Sequence, residues 1–243
     1  MQVVGQWLSQ GDEQYECVDG LPLVAMSNGQ AAREGSHWLW ESQRGQGGTS
    51  GGFFVGDKLL ASVTPTGVVT GWLVGNAAIN ERWLLEALLS ARAGQPQLGQ
   101  PPAAAHASRA DRPTPPCGHI GAFQAVGHTV RGVYLADRGF NSSRWRSHWQ
   151  SHYSATVVSV PPDNDPERTA WSRHDCLWLA AKRQIVDTTF ARLNHVFDLA
   201  HLRPHSRWGQ YTRIAAKIAA YHIGLWFNRR LGRPLGALAT LLV

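Results

Sequence analysis

An α/β domain built on a mixed sheet is predicted by the order in which apolar patterns follow one another along these 243 residues. Three observations carry that prediction. Two adjacent apolar runs joined by turn residues make an antiparallel hairpin. Further apolar strands are then separated by segments of helical periodicity, and crossover helices imply parallel neighbours. Finally, the chain closes on two long amphipathic helices.

The first strand is expected over Gln14 to Asp19, with Tyr15, Cys17 and Asp19 on one face and Glu16 and Val18 on the other, before Gly20 and Pro22 disturb it. Residues 29–52 are rich in Gly, Ser and Gln and are expected to form a loop bearing Trp38 and Trp40. The hairpin pairs Phe53 to Val63 with Val68 to Val74 around Pro65-Thr66-Gly67. Asn80 caps a helix to about Arg92, with Trp83, Leu84, Leu88 and Ala91 at helical spacing. Residues 94–116, rich in Pro, Ala and Gln, hold no apolar period and are taken as a flexible insertion. Val133 to Ala136 is a short strand running straight into Asp137, Ser142 to Ser151 a helix, and Ala155 to Val160 a strand stopped by Pro161-Pro162. A long helix follows over about Asp175 to Phe197, its stripe being Leu179, Val186, Phe190, Leu193 and Phe197. The last helix, about Gln210 to Arg230, buries Ile214, Ile218, Tyr221 and Leu225. The expected division is an α/β unit over 1–198 and a basic helical extension over 199–243.

Composition narrows the function classes. A hydrophobic share of 43% suffices for a packed core, and no run of about 18 uncharged apolar residues offers a membrane span. The amino-terminal residues lack the basic region of a signal peptide, and three widely spaced cysteines make neither a disulfide framework nor a zinc pair, so a cytoplasmic protein is expected. The net charge of +6 is unevenly spread. From Leu199 onward there is no carboxylate against seven cations, whereas seven carboxylates precede Lys58, an asymmetry that fits a polyanionic partner as well as a merely solvated face. The Gly-rich run Gly45 to Gly52 lacks the Gly-Lys-Ser/Thr ending of a phosphate loop, so no nucleotide cofactor is expected. His148 and His152, one helical turn apart, are read as surface residues, and Asp57 as the local ion partner of Lys58.

Three acids stand out by position: Asp19 and Asp137 at strand ends, and Asp187 beside the apolar stripe of the long helix. A carboxylate at a buried strand end pays for desolvation unless something compensates it, and a hard divalent cation is one compensator. Spacing alone leaves open that these are turn formers, and that Arg183 and Asp187 form an ordinary i,i+4 pair.

Four segments bear a resemblance. Tyr15 to Pro22 (YECVDGLP), Gly47 to Leu60 (GGTSGGFFVGDKLL), Tyr134 to Phe140 (YLADRGF) and Lys182 to Phe190 (KRQIVDTTF) are similar, in this order, to blocks of the DDE transposases of bacterial insertion sequences. The tail from Leu193 to Pro234 resembles the end of the same family. The resemblance implies an RNase H-like fold with Asp19, Asp137 and Asp187 as catalytic and metal-binding residues. It also implies two magnesium or manganese ions, phosphodiester cleavage and strand transfer. Lys182, Arg183, Arg213 and Lys217 are the expected DNA-binding residues, and the expected partner is double-stranded DNA, element ends and target alike; a homo-oligomer stays open. Two departures accompany it. The family's third acid is usually Glu where this chain has Asp187, and only 18 residues precede Asp19, so most of the segment that recognises element ends is expected to be missing. A catalytically silent DNA-binding remnant or regulator, and a metal-dependent nuclease with no role in transposition, are the alternative readings.

Overall fold

A computed structural model describes residues 15–27, 43–46, 52–94, 123–125, 132–202 and 206–238. The expectations for Trp38, Trp40 and nearly all of the 94–116 segment lie outside these residues. The strands are β1 (Tyr15–Ser27), β2 (Gln43–Gln46), β3 (Phe53–Val63), β4 (Val69–Asn76), β5 (Phe123–Ala125), β6 (Gly132–Ala136) and β7 (Ala155–Val158). The helices are α1 (Glu81–Arg92), α2 (Ser143–Tyr153), α3 (Arg173–His195) and α4 (Arg207–Arg230). One mixed sheet runs β5-β4-β3-β1-β6-β7, with β2 paired to β3. β3 is antiparallel to β1, β2 and β4, whereas β6 is parallel to both β1 and β7.

Alternation along β1 sorts the core into two layers. Cys17 faces a cluster with Leu179, Val186, Phe190 and Leu193 of α3 and Ile214, Ile218, Tyr221 and Leu225 of α4. Val18 faces the opposite cluster, with Leu84, Leu85, Leu88 and Leu89 of α1 and Trp145, Trp149 and Tyr153 of α2. Both expected helical stripes are therefore the buried ones, with Phe197 half-buried at the edge of its cluster. α4 shares one core with α3 and the sheet.

The local chemistry explains the element ends. Asn80 accepts from the Arg82 amide at the start of α1, and Ser172 with Asp175 forms a reciprocal cap that starts α3 two residues ahead of expectation. Gly67 turns the β3–β4 hairpin with φ +87°, a conformation that favours glycine, and its carbonyl accepts from the Tyr221 hydroxyl at 2.6 Å.

Two expectations fail in informative ways. β1 does not stop near Pro22 but continues to Ser27, with Pro22 opposite Lys58. Beyond Val18 its ladder to β6 has ended, so β1 has an open side where a residue without an N–H is tolerated. The Gly-rich segment also contains a strand, β2, because β3 extends past its pairing with β4, which ends at Asp57, and offers the backbone groups of Phe53 to Gly56 to it.

α4 carries a buried base. His222 is 3% exposed, its Nε2 has no partner among the described residues, and burial depresses its pKa from 6.5 to about 4, with a backbone hydrogen bond to Val69 pulling weakly the other way. A base held neutral by the fold takes up its proton more readily when unfolded. Its contribution is therefore complete above pH 6.5 and lost as pH falls toward 4, up to about 3 kcal/mol. Denaturant melts at pH 7 and pH 4.5 should show a smaller loss in His222→Leu than in wild type. An equal loss in both would assign the acid sensitivity elsewhere.

Candidate active site

Asp19 and Asp137 are brought together by strand register. β1 and β6 are parallel neighbours whose last pair is Val18 with Ala136, so the next residue on each strand is one of the two acids. Adjacent strands lie about 4.8 Å apart, which places the two acids side by side where the β1–β6 ladder ends. After Asp137 the chain enters a short 3-10 turn, Arg138–Phe140, fixed by the fully buried Phe140. Buried Asn141 holds the turn from behind, its Oδ1 accepting from Arg146 at 2.6 Å and from the Ser159 hydroxyl at 3.3 Å.

α3 crosses this end of the sheet. The Cys17 thiol donates to the Lys182 carbonyl at 3.4 Å, which seats the helix on β1 and brings the next residue, Arg183, over the acids. Its Nη2 donates to Asp19 Oδ2 at 2.9 Å and its Nη1 to Asp137 Oδ1 at 3.2 Å. One guanidinium thus bridges the two carboxylates, and the i,i+4 pair with Asp187 is not the arrangement adopted. Arg183 Nε is buried without a partner among the described residues.

The environment treats the acids differently. Asp19 is pushed from 3.8 up to about 6, first by burial, with Arg183 and the Gly20 amide holding it down and the charges of Glu81 and Asp137 pushing it up. The Gly20 N–H donates to Asp19 Oδ1 at 2.7 Å. The Asp137 side chain is 53% exposed. Asp187 is exposed one helical turn beyond Arg183, near enough for its charge to raise the Cys17 thiol, which burial above all pushes to about 12 and keeps unreactive.

A fourth carboxylate approaches from the other face. Glu81, the first residue of α1, pairs with Lys58 at 3.1 Å. A Cβ on Gly20 would lie 3.0 Å from Glu81 Oε1, and one on Gly139 would lie 2.8 Å from Glu81 Oε2. Glu81 was absent from the sequence-derived site. The available signal was a glycine one residue after Asp19 and two after Asp137, since glycine admits close approach of another group. Among the described residues no three His, Cys, Asp or Glu side chains stand close enough together to hold a metal in their present rotamers. What lies between Asp19 and Asp137 is a cation, Arg183.

The other expected residues fall elsewhere. Lys182 is exposed beside the site. Arg213 donates to the Leu202 carbonyl and Lys217 to the Phe197 and Asp198 carbonyls, so both close the segment after α3, about 20 Å along the helix axis from Arg183. Cations at a helix carboxy-terminus are stabilising there without any DNA. Arg207 and Gln210 donate to buried Asp57 at 2.6 and 2.8 Å, tying α4 to β3. Asp57 therefore does not pair with Lys58: neighbours on a strand point to opposite faces, and Lys58 faces Glu81. His148 is not a surface residue either, its ring lying against buried Glu86 at 3.1 Å and stacking on His152.

Compared with models of protein families, with curated protein sequences and with solved structures, the chain matches none. Among the described residues no helix is long and apolar enough to cross a membrane.

Proposed function

We propose that this chain is the catalytic domain of a DDE-type DNA transposase on an RNase H-like fold, cleaving and joining phosphodiesters with magnesium or manganese. The observation that carries the reading is the convergence of Asp19 and Asp137, from adjacent parallel strands, on one cation. The sheet order supports it, with a hairpin antiparallel to β1 on one side and two parallel strands on the other. The donor chemistry fits a hard divalent ion, because the converging atoms are carboxylate oxygens and the guanidinium between them shows that the position favours positive charge. When bound, such ions activate a water or a 3′-hydroxyl and stabilise the leaving oxygen.

Asp19 and Asp137 would hold the ions, with Asp187 reaching from α3. With metal bound there, Arg183 would turn its guanidinium to a DNA phosphate. Lys182 adds a second cation on the same helix, and both would position the backbone without reading sequence. The deciding experiment is metal-dependent nicking of supercoiled plasmid, together with the manganese-induced rise in Tm, for wild type and Asp137→Asn. Both signals should be present in wild type and lost in the variant. A Tm rise that survives in Asp137→Asn would remove this site from the reaction.

The silent DNA-binding remnant has one observation in its favour. Asp187 is exposed and makes no hydrogen bond or ion pair within the described residues, as a ligand too short to engage would. Asp187→Glu restores the methylene at an exposed helix position that tolerates Glu well. Nicking should then rise at least about tenfold, roughly 1.4 kcal/mol of barrier. A wild type that nicks well and a Glu variant that does worse would make Asp187 a working third acid.

A further inference from the structure

The outward face of α4 lacks the charges that ordinarily cover the solvent side of a surface helix. Ile214, Ile218, Tyr221 and Leu225 turn one side of α4 into the core. On the opposite side, at steps of three or four residues, stand Trp208, Thr212, Ala216, Ala219, Ile223 and Phe227, with Leu231 just past the helix end. The two cations between Trp208 and Phe227 are Arg213 and Lys217, and both donate to carbonyls of the segment after α3. Eight large apolar side chains are exposed among the described residues, and four of them, Trp208, Ile223, Phe227 and Leu231, lie on this one stripe. Such a concentration marks a contact surface, whereas scattered single residues would not.

The order of sizes along the stripe points to its occupant. Large side chains stand at its two ends, Trp208 at one and Ile223, Phe227 and Leu231 at the other, and small ones fill the middle. Take a second copy turned antiparallel about a two-fold axis between Ala219 and Ala220. Thr212 then lies level with the partner's Phe227, and Ala216 with the partner's Ile223. Small opposite large lets two helices interdigitate, and the two-fold repeats each contact. Only at the outer ends do two large groups meet, Trp208 and the partner's Leu231, where crossing helices have already spread apart. A parallel copy would instead set Phe227 against the partner's Phe227 and leave a gap at the alanines. With 24 residues, α4 is about 36 Å long and roughly 10–12 Å across. Two such ridges packed along their length bury on the order of 1,000 Å² in total, the threshold of a specific interface.

We infer that the outward face of α4 is the contact of a homodimer, two copies packing antiparallel with Ala219 and Ala220 at the crossing point. Nothing in this contact depends on the metal-dependent reading above. Charge gives it a signature. From Leu199 onward the chain has no carboxylate, so apposed α4 helices bring only cations together, Arg213 and Lys217 on one flank and Arg229 and Arg230 near the end. Salt screens that repulsion and tightens the dimer, whereas salt weakens both DNA binding and the docking of an acidic partner helix.

The test is sedimentation equilibrium of the full chain, without metal or DNA, at low and high salt, for wild type, Ala216→Ile, Ile223→Ala and the double variant. Wild type should form a reversible dimer in the micromolar range that tightens as salt is raised. Ala216→Ile sets two large groups against each other and Ile223→Ala leaves two small ones, so each should weaken the dimer at least about tenfold. The double variant only exchanges the two partners across the axis and should return to within about threefold of wild type. Both positions are exposed, so thermal melts of the dilute variants should stay close to wild type. A chain that stays monomeric at every concentration overturns the inference and leaves the face to a different protein. A dimer indifferent to both single variants places the interface elsewhere. A double variant weaker than either single one shows a merely adhesive surface with no two-fold register, which also overturns it.

Discussion

Asp19→Asn should give a protein that is more stable at pH 8 than wild type and at least about a thousandfold slower in metal-dependent nicking, roughly 4 kcal/mol of barrier. Both halves follow from the burial of one carboxylate. Burial lifts the Asp19 pKa from 3.8 to about 6 despite Arg183, so the folded state holds the proton more tightly than the unfolded chain does. For a raised acid the stabilising contribution is complete below pH 3.8 and lost as pH rises through 6. At pH 8 the ionised side chain is thus a cost of folding, on the order of 2–3 kcal/mol if the whole shift is counted. Asn removes the charge but offers Arg183 a weaker acceptor, so a net gain of about 1–2 kcal/mol, or roughly 3–6 °C in Tm, is expected. The gain should vanish at pH 4, where wild-type Asp19 is protonated as well. Thermal melts at both pH values check this directly. A variant less stable than wild type at pH 8 would mean that the bond to Arg183 outweighs desolvation, and retained nicking would exclude Asp19 from the chemistry.

The largest loss of stability is expected from Glu86→Leu. Glu86 is fully buried between α1 and α2, and its oxygens accept from the Trp149 indole at 3.0 Å and the Tyr153 hydroxyl at 2.6 Å, with the His148 ring at 3.1 Å. A leucine of similar size leaves these groups buried around an apolar side chain. Removing the shared partner of such a network costs about 3–5 kcal/mol. Against a total of about 5–15 kcal/mol for a typical domain, that loss decides whether the chain folds at growth temperature. Glu86→Gln keeps one acceptor oxygen and should lose less than half as much. Denaturant melts of Glu86→Leu, Tyr153→Phe and the double variant should show strong coupling, and simple additivity would mean that the tyrosine bond carries nothing. The network also has a bearing on the site. It fixes α1, which begins at Glu81, against α2, which follows the turn after Asp137.

Periodicity made much of the fold legible. The stripes of α3 and α4 were read from spacing alone and are the faces that pack, because a helix in a layered protein buries whichever side is continuously apolar. The opposite directions of Cys17 and Val18 followed from strand geometry and hold in the two core clusters. Asp19 and Asp137 stood out in the sequence as the expected ends of two apolar strands; Asp137 does follow the last residue of β6, whereas Asp19 lies within β1, at the first residue past its ladder to β6.

Tertiary structure alone decided the partners of the charged groups. From sequence, Arg183 could serve Asp187 and Asp57 could serve Lys58. In the fold Arg183 bridges Asp19 and Asp137, and Asp57 receives Arg207 and Gln210. The difference has a physical origin. Apolar burial is additive and non-directional, so it leaves a periodic trace along the chain. A hydrogen-bonded ion pair is a short-range, directional choice among residues far apart in sequence, and no local pattern records it. Glu81 shows this most plainly: the sequence supplied a helix cap at Asn80 and two glycines after two acids, but only the packing of α1 against the strand ends placed its carboxylate among them.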